Sequence, residues 1–415
     1  MKRSPLLPIF LIVLVDVLGL TIILPLLPFY AERFGATPTQ AGLLTSVYAA
    51  CQLISGPLLG RLSDRTGRKP LLLVSQLGTF IGFLVLARAG ALWMVFLSRV
   101  IDGSTAGNLS LAQAYIADVT APKERARSFA LIGIAFGLGF LIGPPISGFL
   151  AHAYGVAAPA WFAAALSATS VLCTATLLSR NPPRPEGMPA SDAPSPPGGK
   201  RLSIVDWSGY VRFFRGPLAR LLVQFFLFAM AFAAFTSGFA LYAERRFTWE
   251  GHAFGAREVG IVFGYAGLLG IILQGGLIGR LVKRFGERPL IASGFTAAMC
   301  GYGLLALLGF VPFAMNASLA VLIGAATIQS YGSGVLRPTL TSQITQHVQR
   351  NEQGTILGLN QSLLSVAQIV SPIVGGMLIS HGLLGLWGLW PAALALAGLS
   401  LCKPAELQPA VREAA

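Results

Sequence analysis

Residues Gly60–Pro70 read GRLSDRTGRKP, five charged residues in eleven positions, in a chain of 415 residues of which only 11% are charged. Long apolar runs flank this knot on both sides. With 54% hydrophobic residues and a mean hydropathy of +0.70, the chain carries more apolar surface than a water-soluble domain can bury. Much of it must face lipid, and the knot becomes a charged turn between two membrane helices.

A helix crosses a hydrocarbon core about 30 Å thick with about 20 mostly apolar residues. Such runs are predicted at 6–30, 41–60, 71–89, 92–117, 128–151, 157–178, 218–242, 257–280, 289–310, 313–336, 354–380 and 383–402, twelve in all. A barrel would need alternating segments about half as long. The expected fold class is an all-α integral membrane protein. The first run begins MKR, yet it is too long for a cleavable signal peptide, contains Asp16 and ends in PLLPFY without a small-residue cleavage pattern, so it is expected to stay.

Charge sets the orientation. If the N-terminus is inside, 24 of the 30 Lys and Arg residues lie on the cytoplasmic side, Arg337 among them, and 5 lie outside, with Arg99 inside a span. That asymmetry predicts a multi-pass protein of a bacterial inner membrane with both termini cytoplasmic. It also accounts for the net charge of +14 through loops facing anionic headgroups, so no nucleic-acid partner is expected. Cys51, Cys173, Cys300 and Cys402 stand singly in different spans and the four histidines have no ligand spacing, so no metal is expected.

Residues 180–201, RNPPRPEGMPASDAPSPPGGKR, have no hydrophobic face and read as a flexible cytoplasmic linker. The expected division is a six-helix bundle over 1–179, a linker over 180–216 and a second six-helix bundle over 217–415. The tract 204–215, with Trp207, Tyr210, Phe213 and Phe214, fits either a segment along the inner membrane surface or a plain helix entry. The halves repeat each other. GRLSDRTGRKP aligns with GRLVKRFGERP at 279–289, and Pro144 and Gly148 align with Pro372 and Gly376. Duplicated six-helix halves predict a rocking transporter with its substrate site near the midplane between them.

The motifs then become specific. GRLSDRTGRKP resembles the loop between spans 2 and 3 of the major facilitator superfamily, G-x-L-x-D-R-x-G-R-[KR], at Gly60, Leu62, Asp64, Arg65, Gly67, Arg68 and Lys69. GIAFGLGFLIGPPISG resembles the G-x-x-x-G-P-x-x-G-G motif of its antiporters at Gly139, Gly143, Pro144 and Gly148, with Ser147 at a glycine position. SRVIDGSTAG is similar to R-x-x-Q-G through Arg99 and Gly103. AYIADVTAPKERAR at 114–127 and AERRFTWE at 243–250 resemble the bacterial tetracycline:proton antiporters and related twelve-span drug exporters. The resemblance spans nearly all of the chain outside the linker. It implies two pseudo-symmetric six-helix bundles and proton-driven multidrug efflux of the antibiotic-resistance type, with no bound cofactor and no enzymatic activity. A monomer is the expected functional unit.

The site residues follow. A carboxyl in mid-span is costly when charged and so faces a cavity or a partner, which makes Asp16 either a proton carrier or a polar contact to a neighbouring helix. Its match to the first-span aspartate of the tetracycline exporters implies proton coupling. Arg99 and Asp102 lie one helical turn apart and can pair, and the resemblance implies a coupling role for the arginine. Asp102 either titrates or only neutralises it. The resemblance further implies that Asp64, Arg65, Arg68 and Asp118 form a cytoplasmic latch, with Asp64 facing the start of span 11. Lys283 stands where the second half would need the matching acid, so the latch is expected on one side only. The glycines of span 5 allow close helix approach, whether as ordinary packing or as the seam of an antiporter.

Gln52, Asn108, Gln113, Gln224, Gln274, Gln343, Asn360, Gln361 and Gln368, with Tyr48, Phe225, Phe232 and Tyr265, are candidates to line a mixed polar and aromatic cavity for a small amphiphilic compound. Spans 3 and 9 lack the acids of the tetracycline exporters, which argues against tetracycline with its bound cation. No G-x-x-x-x-G-K-[ST] loop is present to feed an ATP-driven pump. An importer or facilitator of the same fold remains the alternative. The direction in which a proton gradient moves substrate separates the two.

Overall fold

The structure, a computed structural model, describes residues 6–120, 125–178, 212–214, 216–348 and 353–402, with the side chains of Leu6, Asp64, Ala117, 125–130, Arg212, Pro217 and 353–355 outside the described set. Nine helices among the described residues are long and apolar enough to cross a membrane. Two shorter apolar helices and one interrupted helix complete twelve spans.

Span 1 is Leu6–Ile23, continued after a bend by Leu27–Glu32. Span 2 is Pro38–Thr66 and span 3 is Arg68–Ala87. Span 4 is broken into Leu92–Ser104 and Asn108–Val119, span 5 is Arg125–Tyr154, and span 6 is Ala158–Leu177. In the second half, span 7 is Gly216–Arg246, span 8 is Ala256–Phe285, span 9 is Glu287–Phe310, span 10 is Met315–Gln346, span 11 is Gln353–Ser380 and span 12 is Leu384–Ser400. Of the expected 180–216 linker, only 212–214 and Gly216 are described, and 212–214 form a short 3₁₀ turn.

Local chemistry sets several boundaries. Thr37 caps span 2 reciprocally: its hydroxyl accepts from the Gln40 N–H, and the Gln40 side chain accepts from the Thr37 N–H at 2.8 Å. At the start of span 8, 218 positions later, the Glu258 carboxylate accepts from the Gly255 N–H, also at 2.8 Å. Gly67 and Gly286, with φ of +97° and +79°, turn the chain between spans 2 and 3 and between spans 8 and 9. The break in span 4 is held by Ser75 of span 3, whose hydroxyl donates to the Thr105 carbonyl and accepts from the Gly107 N–H. A small hairpin, Thr248–Trp249 paired with His252–Ala253, caps the loop between spans 7 and 8.

The halves touch along two seams, and the duplicated residues build both. In the first, Gly42 of span 2 lies against the Pro372 carbonyl of span 11, while Gly376 lies against Pro38 and Thr39. In the second, Gly260 of span 8 lies against the Pro144 carbonyl of span 5, while Gly148 lies against Ala256 and Arg257. A methyl group at Gly376 or Gly260 would sit 2.5 Å from a backbone oxygen. Only glycine fits there, because backbone cannot swing aside as a side chain can.

Every one of these contacts lies toward the end of the bundle away from the chain termini. Thr39 Oγ1 and Ser380 Oγ meet there at 2.9 Å, the Ser46 hydroxyl donates to the Ile369 carbonyl, and Arg245 reaches Glu32 at 2.5 Å. Toward the terminal end the same helices diverge. Gly60, Gly133, Gly270, Gly275, Gly276, Gly279 and Gly358 have no atom within 4 Å of where a Cβ would stand. The molecule is closed at the far end and open at the terminal end.

Span 10 differs from the sequence expectation. It runs ten residues past the predicted end at 336, so Arg337 lies inside it, about 10 Å from its midpoint at 1.5 Å per residue. The Arg337-Pro338 pair reads as a stop signal, but the helix continues through the proline.

Candidate functional site

Spans 1, 3, 4 and 6 bring together the ionisable groups of the first half. Asp16 Oδ2 accepts from the Gln76 side-chain amide at 3.4 Å, and that amide also donates to the Ser170 hydroxyl at 2.7 Å. Asp16 Oδ1 is buried and has no partner. A buried carboxylate oxygen without a donor is costly, so this position is suited to a carboxyl that carries a proton for part of its cycle. Asp102 lies close enough for its charge to bear on Asp16.

Arg99 and Asp102 pair through Nη1 and Oδ2 at 3.4 Å, with side chains only 5% and 6% exposed. The pair is long for an ion pair, and Arg99 Nη2 has no partner. The guanidinium stands 6.0 Å from the Phe83 ring centre, and Phe83 in turn packs on Gly19, three residues along from Asp16. Phe83 thus sits between the two charged groups. Gln76 and Ser170 are fully buried partners that the sequence reading did not single out. A glutamine in the middle of an apolar span, in LLLVSQLGTF, was the available signal.

The span 5 motif divides its work. Gly139 and Gly143 face span 1, where Val17 and Thr21 fill the space, and the Thr21 hydroxyl donates to the Gly139 carbonyl at 2.9 Å. Pro144 and Gly148 face span 8 of the other half. One short stretch therefore ties the Asp16 helix to the seam between halves. A void of about 10 Å³, room for about one water, lies at that junction between Thr21, Phe140 and Pro144 of one half and Thr236 and Phe263 of the other.

At the terminal end, Arg68 Nε meets Asp118 Oδ2 at 2.9 Å and its Nη1 donates to the Ser63 hydroxyl at 2.6 Å. Arg65 is exposed. The expected contact between Asp64 and the start of span 11 falls outside the described residues. The second half carries a pin of its own, reversed in polarity. Glu287, the counterpart of Arg68 in the aligned loops, accepts from Ser342 and Gln343 of span 10 at 2.6 Å each.

The expected cargo residues scatter. Gln343 is committed to Glu287, and the Gln224 amide donates to the Gly398 carbonyl at 3.1 Å and lies 3.2 Å from Cys402 Sγ. Both have packing partners that account for them. The Gln52 amide lies 3.3 Å from the Tyr48 hydroxyl, Phe232 stacks on Phe228 at 5.9 Å, and Gln113 is exposed. Asn108 Oδ1 is buried without a partner, and Asn360 is buried with both amide atoms unpartnered. Among the described residues, no group of three metal-ligating side chains occurs.

Two six-helix bundles meeting at glycine seams, with buried charges in the wall of one, define a membrane transporter and not an enzyme. Residues 9–315 match the Major Facilitator Superfamily, and the chain belongs to that superfamily. It is 32% identical over 372 residues to the class E tetracycline resistance protein of Escherichia coli, covering 89% of this chain and 86% of that one. It is 27% identical over 379 residues to Multidrug resistance protein 2 of Bacillus subtilis (strain 168), covering 89% and 88%. In fold it is similar to the human organic anion transporter MFSD10 (TETRAN), with TM-score 0.70 at 24% identity over 97% of this chain and 99% of that one. It is also similar to the nucleoside transporter NupG, with TM-score 0.72 at 15% identity over 97% and 100%.

Proposed function

We propose that the chain is a proton-coupled antiporter that exports a small amphiphilic organic compound, a drug or metabolite, by alternating access. The observation that carries this reading is Asp16, a mid-span carboxyl with one oxygen bonded to Gln76 and the other buried and unpartnered. Its kinship with tetracycline and multidrug resistance proteins supports the direction of transport. In this reading the terminal end faces the cytoplasm of a bacterial cell, which the Lys and Arg asymmetry supports. The state described here is then open inward. The bundles 1–179 and 217–415 rock as units about the linker, and a monomer performs the cycle.

In this scheme Asp16 holds a proton on its carboxyl when facing outward and loses it to the inward-open cleft. Gln76 keeps the carboxyl oriented toward the neighbouring helices in both conditions. Asp102 and Arg99, weakly paired, respond to that change of charge. Thr21, one turn further along span 1, transmits any movement of the helix to Gly139 and so to the span 5 seam. Arg68, Asp118 and Asp64 hold the cytoplasmic end when it closes.

Proton release on adding a panel of cationic, neutral and anionic drugs to the purified protein in weakly buffered detergent tests this. A substrate should release protons from the wild type and none from Asp16→Asn, which still binds it. Binding without release from the wild type would replace the antiporter by a facilitator or by coupling to another ion.

A further inference from the structure

Arg337 is the one charge inside span 10, and it belongs to neither the Asp16 cluster nor the loop pins. Among the described residues its guanidinium has no hydrogen bond and no ion pair. Its recorded contact is the ring of Phe136 in span 5, across the gap between halves, 5.6 Å from the ring centre. The side chain is exposed, although a ring of the other half lies beside it.

A charged side chain within a span is rare, faces a cavity or a partner, and marks a substrate or ion pathway. Among the described residues, the second half offers no free acid nearby. Glu287 is committed to Ser342 and Gln343 near the end of the same span, and Asp16 and Asp102 belong to the first half. Arg337 precedes the end of the helix at Gln346 by nine residues, further into the span than the charges of the loops.

Its surroundings form the roof of the cleft. Gly137, next to Phe136, packs on Ile271, and Gly334, one turn before Arg337, packs on Leu273. Beyond them the halves part. Span 8 widens here into a π-helical turn, Leu273–Leu277, a distortion that recurs at functional sites. Gln274 in that turn is exposed, and its amide nitrogen lies 3.9 Å from the Gly334 β position, on the face that Arg337 shares. Gly275 and Gly276 border open space. A guanidinium with a ring beside it and no hydrogen bond has its N–H edges available, and two of them match a carboxylate or a sulfonate.

We infer that Arg337, with Gln274 beside it and Phe136 beneath it, is the anion-recognising part of the cargo site, and that the cargo is an organic anion or zwitterion with an aromatic or apolar body. The inference rests on the chain being a transporter of organic compounds. It assigns the charge of the cargo, which the export reading left open. The acid keeps the N–H edges, the ring of the cargo meets Phe136, and the inward-open cleft admits both.

Equilibrium binding to the full chain in lipid nanodiscs, without any gradient, tests it with one fluorophore carrying three charges: dansylglycine, dansylamide and dansylcadaverine. Dansylglycine should bind the wild type at least tenfold more tightly than dansylcadaverine. Arg337→Gln should erase that preference and leave dansylamide unchanged, while Arg337→Lys should retain part of it. If Arg337→Gln does not fold, the ranking on the wild type and a weakening of dansylglycine in Gln274→Leu decide the matter. Equal or tighter binding of dansylcadaverine, absent binding of dansylglycine, or an Arg337→Gln protein with an intact preference would each overturn the inference. A failure of proton coupling alone would leave the anion preference in place and abolish only the proton release, so the two readings fail separately.

Discussion

Asp16 accepts from the Gln76 amide, and Ser170, which accepts from the same amide, also bears on the carboxyl. Gln76→Leu removes that donor from a buried acceptor and should destabilise the protein by about 1–3 kcal/mol. Thermal unfolding in detergent would register the loss, and gradient-driven export should fall more than ligand binding. Arg245 offers the opposite case. It joins the halves through Glu32, but the two side chains are 32% and 20% exposed, so the pair is partly screened. Arg245→Ala should therefore shift the balance toward an open far end by about fivefold at most, since exposed pairs contribute about 0–1 kcal/mol. Labelling of a cysteine placed at Thr39 would measure the shift.

Two glycines of span 11 separate packing from composition. Gly376 faces backbone of span 2, and Gly358, five turns away on the same helix, faces open space. Gly376→Ala should force the seam apart and lower the thermal stability of this form, whereas Gly358→Ala should leave that stability unchanged. The sequence made the number of helices legible because runs of apolar residues carry that information directly. It also brought Arg99 and Asp102 together by their spacing, and it paired Pro144 with Pro372. What it hid was end position and partnership. Arg337 looked like a loop charge because an arginine followed by proline so often ends a helix, and only the packing of span 10 against spans 5 and 8 shows otherwise. Gln76 escaped notice because a lone amide in an apolar run does not reveal which helix it faces. Gln224 and Gln343 are open to two readings in the sequence, as cavity residues or as contacts between helices, and their bonds to Gly398 and Glu287 are of the second kind.

The two halves close on each other at one end only. With the four native cysteines replaced, Thr39→Cys with Ser380→Cys should cross-link in the resting protein, because the hydroxyls they replace are 2.9 Å apart. The cross-link should stop transport, and a reductant should restore it. Gly60→Cys with Gly358→Cys should cross-link only when the terminal end shuts. Rapid cross-linking of that second pair at rest would mean that the open arrangement is not the resting one.

The loops at the terminal end set a further condition on the cycle. Arg61 and Arg65 lie exposed on one half, and Arg280, Lys283 and Arg284 on the other. Shutting this end drives two positive surfaces together, while the far seams are made mainly of backbone packed on glycine. Dissolved ions should therefore act on the terminal end through this repulsion, and on the far end only through the Arg245–Glu32 pair, whose weakening favours the same outward-facing form. Between about 0.01 M and about 1 M salt the Debye length falls from about 30 Å to about 3 Å, and the repulsion fades with it. Raising ionic strength should favour the outward-facing form, seen as slower maleimide labelling of Gly60→Cys. The same protein would thus turn its cleft differently in dilute and in saline media with no change in its cargo or its proton supply.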